Sequence, residues 1–147
     1  MTNVTLAQAT TIVDAALEKG AELGLAPLTA AVLDSGGHLV AFKREDKSGI
    51  LRADIAIGKA WGALGMGFGS REIANRAAKM PVFFTALAAA SQGRMIPVPG
   101  GVLILDRSLG VLGAIGISGD TSDQDETCAI AGIEAAGLMA QPGAAAG

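Results

Sequence analysis

A chain of 147 residues has the length of one domain, and a domain of this size buries about two-thirds of the surface its unfolded chain exposes. Half of the residues are hydrophobic and only 17% are charged, against about 25% in an average soluble domain, so the surface must carry many apolar or small groups, which favours self-association. Eleven basic against fourteen acidic residues give a net charge of −3, and aromatics make up 3% of the chain, so neither a basic stripe nor a set of stacking rings is present for nucleic acid.

Mean hydropathy is +0.46, yet every apolar run is broken by Gly, Pro or charge well short of the roughly 20 residues that span a bilayer. No membrane partner is expected. The first residues lack a basic stretch followed by an apolar core, so the expected location is the cytoplasm. Cys128 is the single cysteine, which leaves no intrachain disulfide or thiolate cluster and reads as a small buried residue on a helix.

The first element is a helix over 5–23: Thr5 and Gln8 form a capping box, and Leu6, Ala9, Ile12, Val13, Ala16 and Leu17 recur at helical spacing. Leu28 to Leu33 and His38 to Lys43 flank the turn residues Asp34-Ser35-Gly36-Gly37, which predicts a β-hairpin. A helix carrying Ile50, Leu51, Ile55, Ile57, Trp61 and Leu64 follows and should end in the glycines at 62, 65, 67 and 69. Two short helices are expected from Ser70 and over Pro81 to Ala90. Arg94 to Gly101 reads as a shaped loop or edge strand. It leads into a second hairpin, Val102 to Asp106 and Val111 to Ser118, loosely like the first. A final helix spans about 123–139, and residues 141–147 should fray. No internal repeat or linker interrupts 1–147, and the order α-β-β-α-α-α-β-β-α predicts one α+β domain with an antiparallel sheet.

His38 is the only histidine, and hence the only neutral-pH imidazole and the only strong nitrogen ligand for haem or a metal. Its place beside a glycine turn equally suits an ordinary surface residue. No metal site is expected otherwise. The glycines from 62 to 69 follow a helix rather than a strand and lack a Gly-Lys-Ser/Thr ending, so they read as punctuation rather than a phosphate loop. The acidic group Asp120, Asp123, Asp125 and Glu126 lacks the order of an EF-hand loop, and carboxylates at a helix start are stabilised there without a metal. Arg52 and Lys59 lie seven apart on one helix face, where they can meet a carboxylate or a solvated surface. The loop Pro97-Val98-Pro99-Gly100-Gly101 offers backbone that can approach a ligand closely, or a rigid turn.

The words Val32-Leu33-Asp34-Ser35-Gly36-Gly37-His38-Leu39 with Arg44 and Asp46, Ile55-Ala56-Ile57-Gly58-Lys59-Ala60, Gly100-Gly101-Val102, and Gly113-Ala114-Ile115-Gly116-Ile117-Ser118-Gly119 followed by Asp125-Glu126 carry a resemblance. In this order they resemble the GlcG/HbpS-like haem-binding family, which also takes in the C-terminal domain of PduO-type proteins. The resemblance runs from the first helix to the last. It implies a profilin-like α+β fold with a five-stranded antiparallel sheet, a homo-oligomer larger than a dimer, and haem as a ligand of some members. Two departures fall at the implied pocket: Lys59-Ala60-Trp61-Gly62 stands where the family often has Lys-Ala-x-Thr, and Gly100-Gly101-Val102-Leu103-Ile104 where it has Gly-Gly-x-Pro-Ile.

The resulting expectation is a cytoplasmic, oligomeric ligand-binding protein taking haem or a small carboxylate-bearing metabolite. Its pocket is placed at Arg52, Lys59, Trp61, Pro99, Gly100 and Gly101, with Asp120, Asp123, Asp125 and Glu126 at the rim. One alternative is a small cofactor-independent catabolic enzyme, a lyase, hydrolase or isomerase using Lys59 or His38 as acid or base. Another is a structural oligomerisation module.

Overall fold

The computed structural model describes residues 2–145 and contains ten elements: α1 (Leu6–Glu22), β1 (Thr29–Asp34), β2 (Leu39–Arg44), α2 (Arg52–Met66), α3 (Ser70–Lys79), α4 (Pro81–Ala90), β3 (Gly101–Leu105), β4 (Val111–Ser118), α5 (Ser122–Ala135) and β5 (Met139–Gln141). Both arms of the predicted capping box form at the start of α1: Thr5 Oγ1 accepts from the Gln8 amide at 3.1 Å, and Gln8 Oε1 accepts from the Thr5 amide at 3.0 Å. The two hairpin turns share one device. Asp34 Oδ1 accepts from the amides of Gly36 and His38, and Asp106 Oδ1 from those of Ser108 and Gly110, so each aspartate binds the residues two and four positions on.

All pairings are antiparallel, and the strand order is β2-β1-β4-β3-β5. This is the expected profilin-like α+β fold. Alternation along the strands sends side chains to two separate cores. Ala30, Val32, Val102, Ile104, Ile115 and Ile117 meet Ala9, Ile12, Val13 and Ala16 of α1 and Cys128, Ala129 and Ile133 of α5. On the other face Leu33, Leu103, Leu105 and Ala114 meet Ala60 and Ala63 of α2. A third, smaller cluster joins Ile73, Phe84 and Met95 beneath α3 and α4, with Trp61 at its edge.

The C-terminus differs from expectation. The last helix stops at Ala135 rather than near 139, because Gly137 and Leu138 donate to the carbonyls of Glu134 and Ile133 and close it in a Schellman pattern. The chain then adds β5 to the edge of β3, pairing Leu103 with Gln141 and Leu105 with Met139. The tail expected to fray from 141 is held through its backbone as far as 144. The Pro142 carbonyl accepts from the Arg71 amide, Ala144 donates to Glu72 Oε1, and Asn75 Nδ2 donates to the Ala144 carbonyl. Residues 146 and 147 of that predicted tail lie outside the described residues.

The approach of α2 to the sheet is unusually close. A Cβ on Gly116 of β4 would lie 1.8 Å from the Ala56 carbonyl oxygen and 3.1 Å from the Ala60 nitrogen, so only glycine fits. Gly116→Ala is therefore expected to lower the unfolding free energy by about 1–3 kcal/mol or more in urea denaturation. Gly65→Ala, whose added methyl would come no closer than 3.9 Å to Trp61, should be neutral or stabilising by up to about 1 kcal/mol. Equal effects would show that helix-to-sheet distance is not the constraint.

Candidate ligand cleft on the outer face of α2

Lys59 and Trp61 are two residues apart and so point about 200° apart around the helix axis. The sequence places both at one pocket; the structure separates them. Lys59 is 2% exposed and its Nζ donates to the Ile117 carbonyl at 2.8 Å and to Asp125 Oδ2 at 3.1 Å. Asp125, 1% exposed, accepts from the Asp120 amide through its other oxygen at 3.0 Å. Burial pulls the Lys59 ammonium below its ordinary range and pushes the Asp125 carboxyl above its own, while their mutual attraction opposes both shifts.

The remaining predicted residues divide in the same way. Arg52 is half-buried and donates from Nη1 to Ser118 Oγ at 3.2 Å, one residue along β4 from the Lys59 contact. Gly100 and Gly101 are buried against Lys59, with the Gly101 amide donating to Ser70 Oγ at 2.7 Å and the Gly100 carbonyl accepting from Ile117. Lys59, Asp125, Gly100 and Gly101 thus come together, but as a packed junction. Together with the half-buried Pro99, they line none of the clefts described below. The acidic residues do not form an open rim. Asp120 accepts from the amides of Ala26 and Thr121, which hold its carboxyl below the usual range, and Arg71 of α3 binds both Asp123 and Glu126. Asp123 and Asp125 sit in the first turn of α5, where the unpaired amides favour negative charge.

Trp61 faces outward and three clefts border it. The largest of these, about 340 Å³, lies between α2 and the loop 92–96; Leu51, Ile55, Ile57 and Ile96 supply apolar wall, and Asp54, Gln92 and Arg94 supply the polar groups. A second, of about 190 Å³, runs toward α4 past Met66, Leu87 and Met95. A third, also about 190 Å³, lies between the indole and the turn of Ser35, Gly36 and Gly37. Gly58 makes the first possible, because a Cβ there would meet the Arg94 carbonyl at 2.4 Å; without one, the loop rests on the helix and Ile96 donates to the Gly58 carbonyl.

Arg94 is the residue that sequence reasoning missed. Its guanidinium carbon lies 4.1 Å from the Trp61 ring centroid, and Nε donates to the Ser91 carbonyl at 3.1 Å. The two terminal nitrogens have no partner among the described residues. No local pattern announces this contact, since the two residues are 33 positions apart and Arg94 lies in an irregular loop.

His38 is exposed, its side chain 80% accessible, with Nδ1 3.1 Å from Asp34 Oδ1 and Nε2 turned free. A carboxylate behind one ring nitrogen is the arrangement that orients an imidazole as a metal ligand. Among the described residues no group of three or more His, Cys, Asp or Glu could hold a metal ion. A more voluminous depression than these three clefts, about 650 Å³, lies elsewhere, against α1 and the end of β2. It is wide open, and its charges are largely engaged locally, Lys43 with Asp14, Arg44 with the Ser48 carbonyl and Glu45 with the Leu28 amide.

A profilin-like α+β chain with an aromatic and guanidinium cleft on the free side of one helix is the class defined by this geometry. The model of the family described as haem degrading protein HbpS-like matches residues 4–134, and the chain belongs to that family. It is 30% identical over 126 residues to an uncharacterized 15.0 kDa protein in the dhaT-dhaS intergenic region of Citrobacter freundii, covering 86% of this chain and 87% of that one. Among solved structures, ORFY of Klebsiella pneumoniae superposes with a TM-score of 0.82 at 29% identity, over 93% of this chain and 92% of that one. A doubly substituted HbpS of Streptomyces reticuli gives 0.78 at 28%, over 91% and 87%. A PduOC:heme complex gives 0.83 at 23%, over 92% and 96%, a likeness of fold. No helix among the described residues is long and apolar enough to cross a membrane.

Two outcomes follow from the buried groups. Lys59→Met and Asp125→Leu should each cost about 3–5 kcal/mol in urea unfolding, and the double variant much less than their sum, since the penalty is a stranded charge. Strict additivity would show that the pair is not coupled. Burial pushes the Cys128 thiol up to about 11, so at pH 8 a thiol reagent should label it only as fast as the chain unfolds.

Proposed function

We propose that this protein binds a carboxylate-bearing organic ligand in the cleft between α2 and the loop 92–96. The observation that carries the reading is Arg94, stacked on Trp61 with its terminal nitrogens uncommitted at an apolar cleft of about 340 Å³. A planar guanidinium presents paired donors that match a carboxylate, and the indole with the Ser91 carbonyl holds the fork in place before any ligand arrives. The volume is at the lower end of the range for small-molecule sites.

Haem falls within this chemistry through its propionates. The donor set present fits it in kind: His38, next to the 35–37 turn that lines one cleft and with Asp34 behind it, would offer an imidazole nitrogen to the iron, Trp61 and Leu64 would offer apolar surface, and Arg94 a cation for a propionate. The name of the PduOC:heme complex adds support from a protein of the same fold. When bound, haem would supply redox and ligand-exchange chemistry at its iron. Clefts of 190 and 340 Å³ would enclose only part of a macrocycle, which favours a smaller ligand or a homo-oligomer that completes the enclosure. Exposed Ile50, Leu51 and Val82 beside these elements support the oligomer. No observation favours catalysis, because the buried Lys59 and Asp125 line none of these clefts.

The test is a titration with haem and with valerate, followed by the Soret band and by the fluorescence of the single tryptophan. We expect saturable binding of at least one, weakened about tenfold or more in Arg94→Ala. For haem, His38→Ala should change the Soret band if this imidazole ligates the iron. Binding indifferent to Arg94→Ala, confirmed by calorimetry, would overturn the cleft as the site.

A further inference from the structure

Asp54 lies on the same outward side of α2 as Trp61, one heptad earlier, and lines the same cleft as Arg94. It is exposed and has no hydrogen bond or ion pair among the described residues. A carboxylate and a guanidinium on one small cleft would ordinarily pair. Here the two form no ion pair, and the cleft they share has apolar wall from Leu51, Ile55, Ile57 and Ile96. Asp54 has a local role, since it occupies the first turn of α2 and is favoured there by the unpaired amides. That role does not require a place in the cleft, and it leaves both carboxylate oxygens free to accept.

Two opposite charges held apart across an apolar surface select a ligand by its pattern of charge. An anion at both ends would meet Arg94 favourably and Asp54 unfavourably; a ligand with a carboxylate at one end and an ammonium at the other satisfies both. Gln92 adds an amide on the same rim, able to donate or accept. We infer that Asp54 is the specificity-determining residue of this cleft and that the ligand class is a small amino-carboxylate, its carboxylate on Arg94, its ammonium on Asp54 and its hydrocarbon body along Leu51, Ile55 and Ile96. This rests on the reading of the Trp61 and Arg94 cleft as a carboxylate site. It goes further in excluding dicarboxylates of the same length as preferred ligands.

The experiment compares three probes of equal chain length, valerate, 5-aminovalerate and glutarate, with shorter and longer amino-carboxylates to match the span. Affinity is read by calorimetry and by Trp61 fluorescence. In the wild-type chain the amino-carboxylate of best length should bind about tenfold tighter than its unsubstituted carboxylate, and glutarate weakest of the three. Asp54→Asn, an exposed and nearly isosteric change, should erase the preference for the ammonium and relieve the penalty on glutarate. Equal binding of valerate and 5-aminovalerate, or a preference that survives Asp54→Asn, overturns the assignment of Asp54 and leaves the Arg94 reading standing. Valerate binding that is absent, or untouched by Arg94→Ala, overturns both.

Discussion

An ammonium with almost no access to water, held between the Ile117 carbonyl and the Asp125 carboxylate, sits where three parts of the fold meet. Lys59 belongs to α2 on one face of the sheet, Ile117 to the central strand β4, and Asp125 to the first turn of α5 on the other face. Removing two charges from water is costly, and the cost is offset only when each finds a well-placed partner. The pair therefore admits one mutual placement of the two helices on the end of β4. Arg52, anchored on the neighbouring Ser118, keeps a second cation in the same junction and repels Lys59, which makes the Asp125 carboxylate more necessary. The small residues Ala56, Ala60 and Gly116 let the helix come close enough for the lysine to reach.

That junction decides what the opposite side of α2 can do. With Lys59 committed inward, Ile57, Trp61 and Leu64 pack only in part against the sheet core and keep an open side, Asp54 is exposed, and the loop 92–96 folds over this side of the helix through Gly58. Phe84 and Met95 anchor the loop from beneath, in a cluster separate from the two main cores. The guanidinium of Arg94 is thereby fixed at two points, the indole face and the Ser91 carbonyl, before it meets anything else. Preorganisation of this kind reduces the ordering cost that a long side chain otherwise meets on binding.

The features legible in the sequence are the local ones. The capping box at Thr5 and Gln8, the aspartate turns at Asp34 and Asp106, the proline that starts α4 and the two hairpins depend on residues within five positions of one another. The spacing of Arg52 and Lys59 correctly places them on one face, but spacing alone does not say whether that face meets water or sheet. A readable signal existed in the small residues Ala56, Ala60 and Ala63, which mark the most buried side and leave the larger Trp61 at its margin. β5 was hidden for another reason. Met139–Gln141 is three residues long, has no alternating pattern and is a strand only because the edge of β3 is there to receive it. Long-range pairings such as Lys59 with Asp125 and Arg94 with Trp61 carry no trace in any local window.

The same division explains how relatives at 23–29% identity keep one backbone with TM-scores near 0.8. The sheet, the close approach of α2 and the neutralised junction under it are demands of packing and desolvation, indifferent to the ligand. Cleft chemistry resides in a few outward side chains of α2 and in an irregular loop whose backbone is held at its ends by Ser91 and Gly58. Replacing Arg94, Asp54 or Trp61 changes charge and shape at the cleft without disturbing a buried polar group, since among the described residues no buried side-chain polar atom lacks a partner and none depends on these three. A scaffold of this kind can keep its fold while exchanging its ligand, and the exposed Asp54 and Arg94, less constrained by stability than Trp61 with its contacts to two cores, are the residues that would record such an exchange.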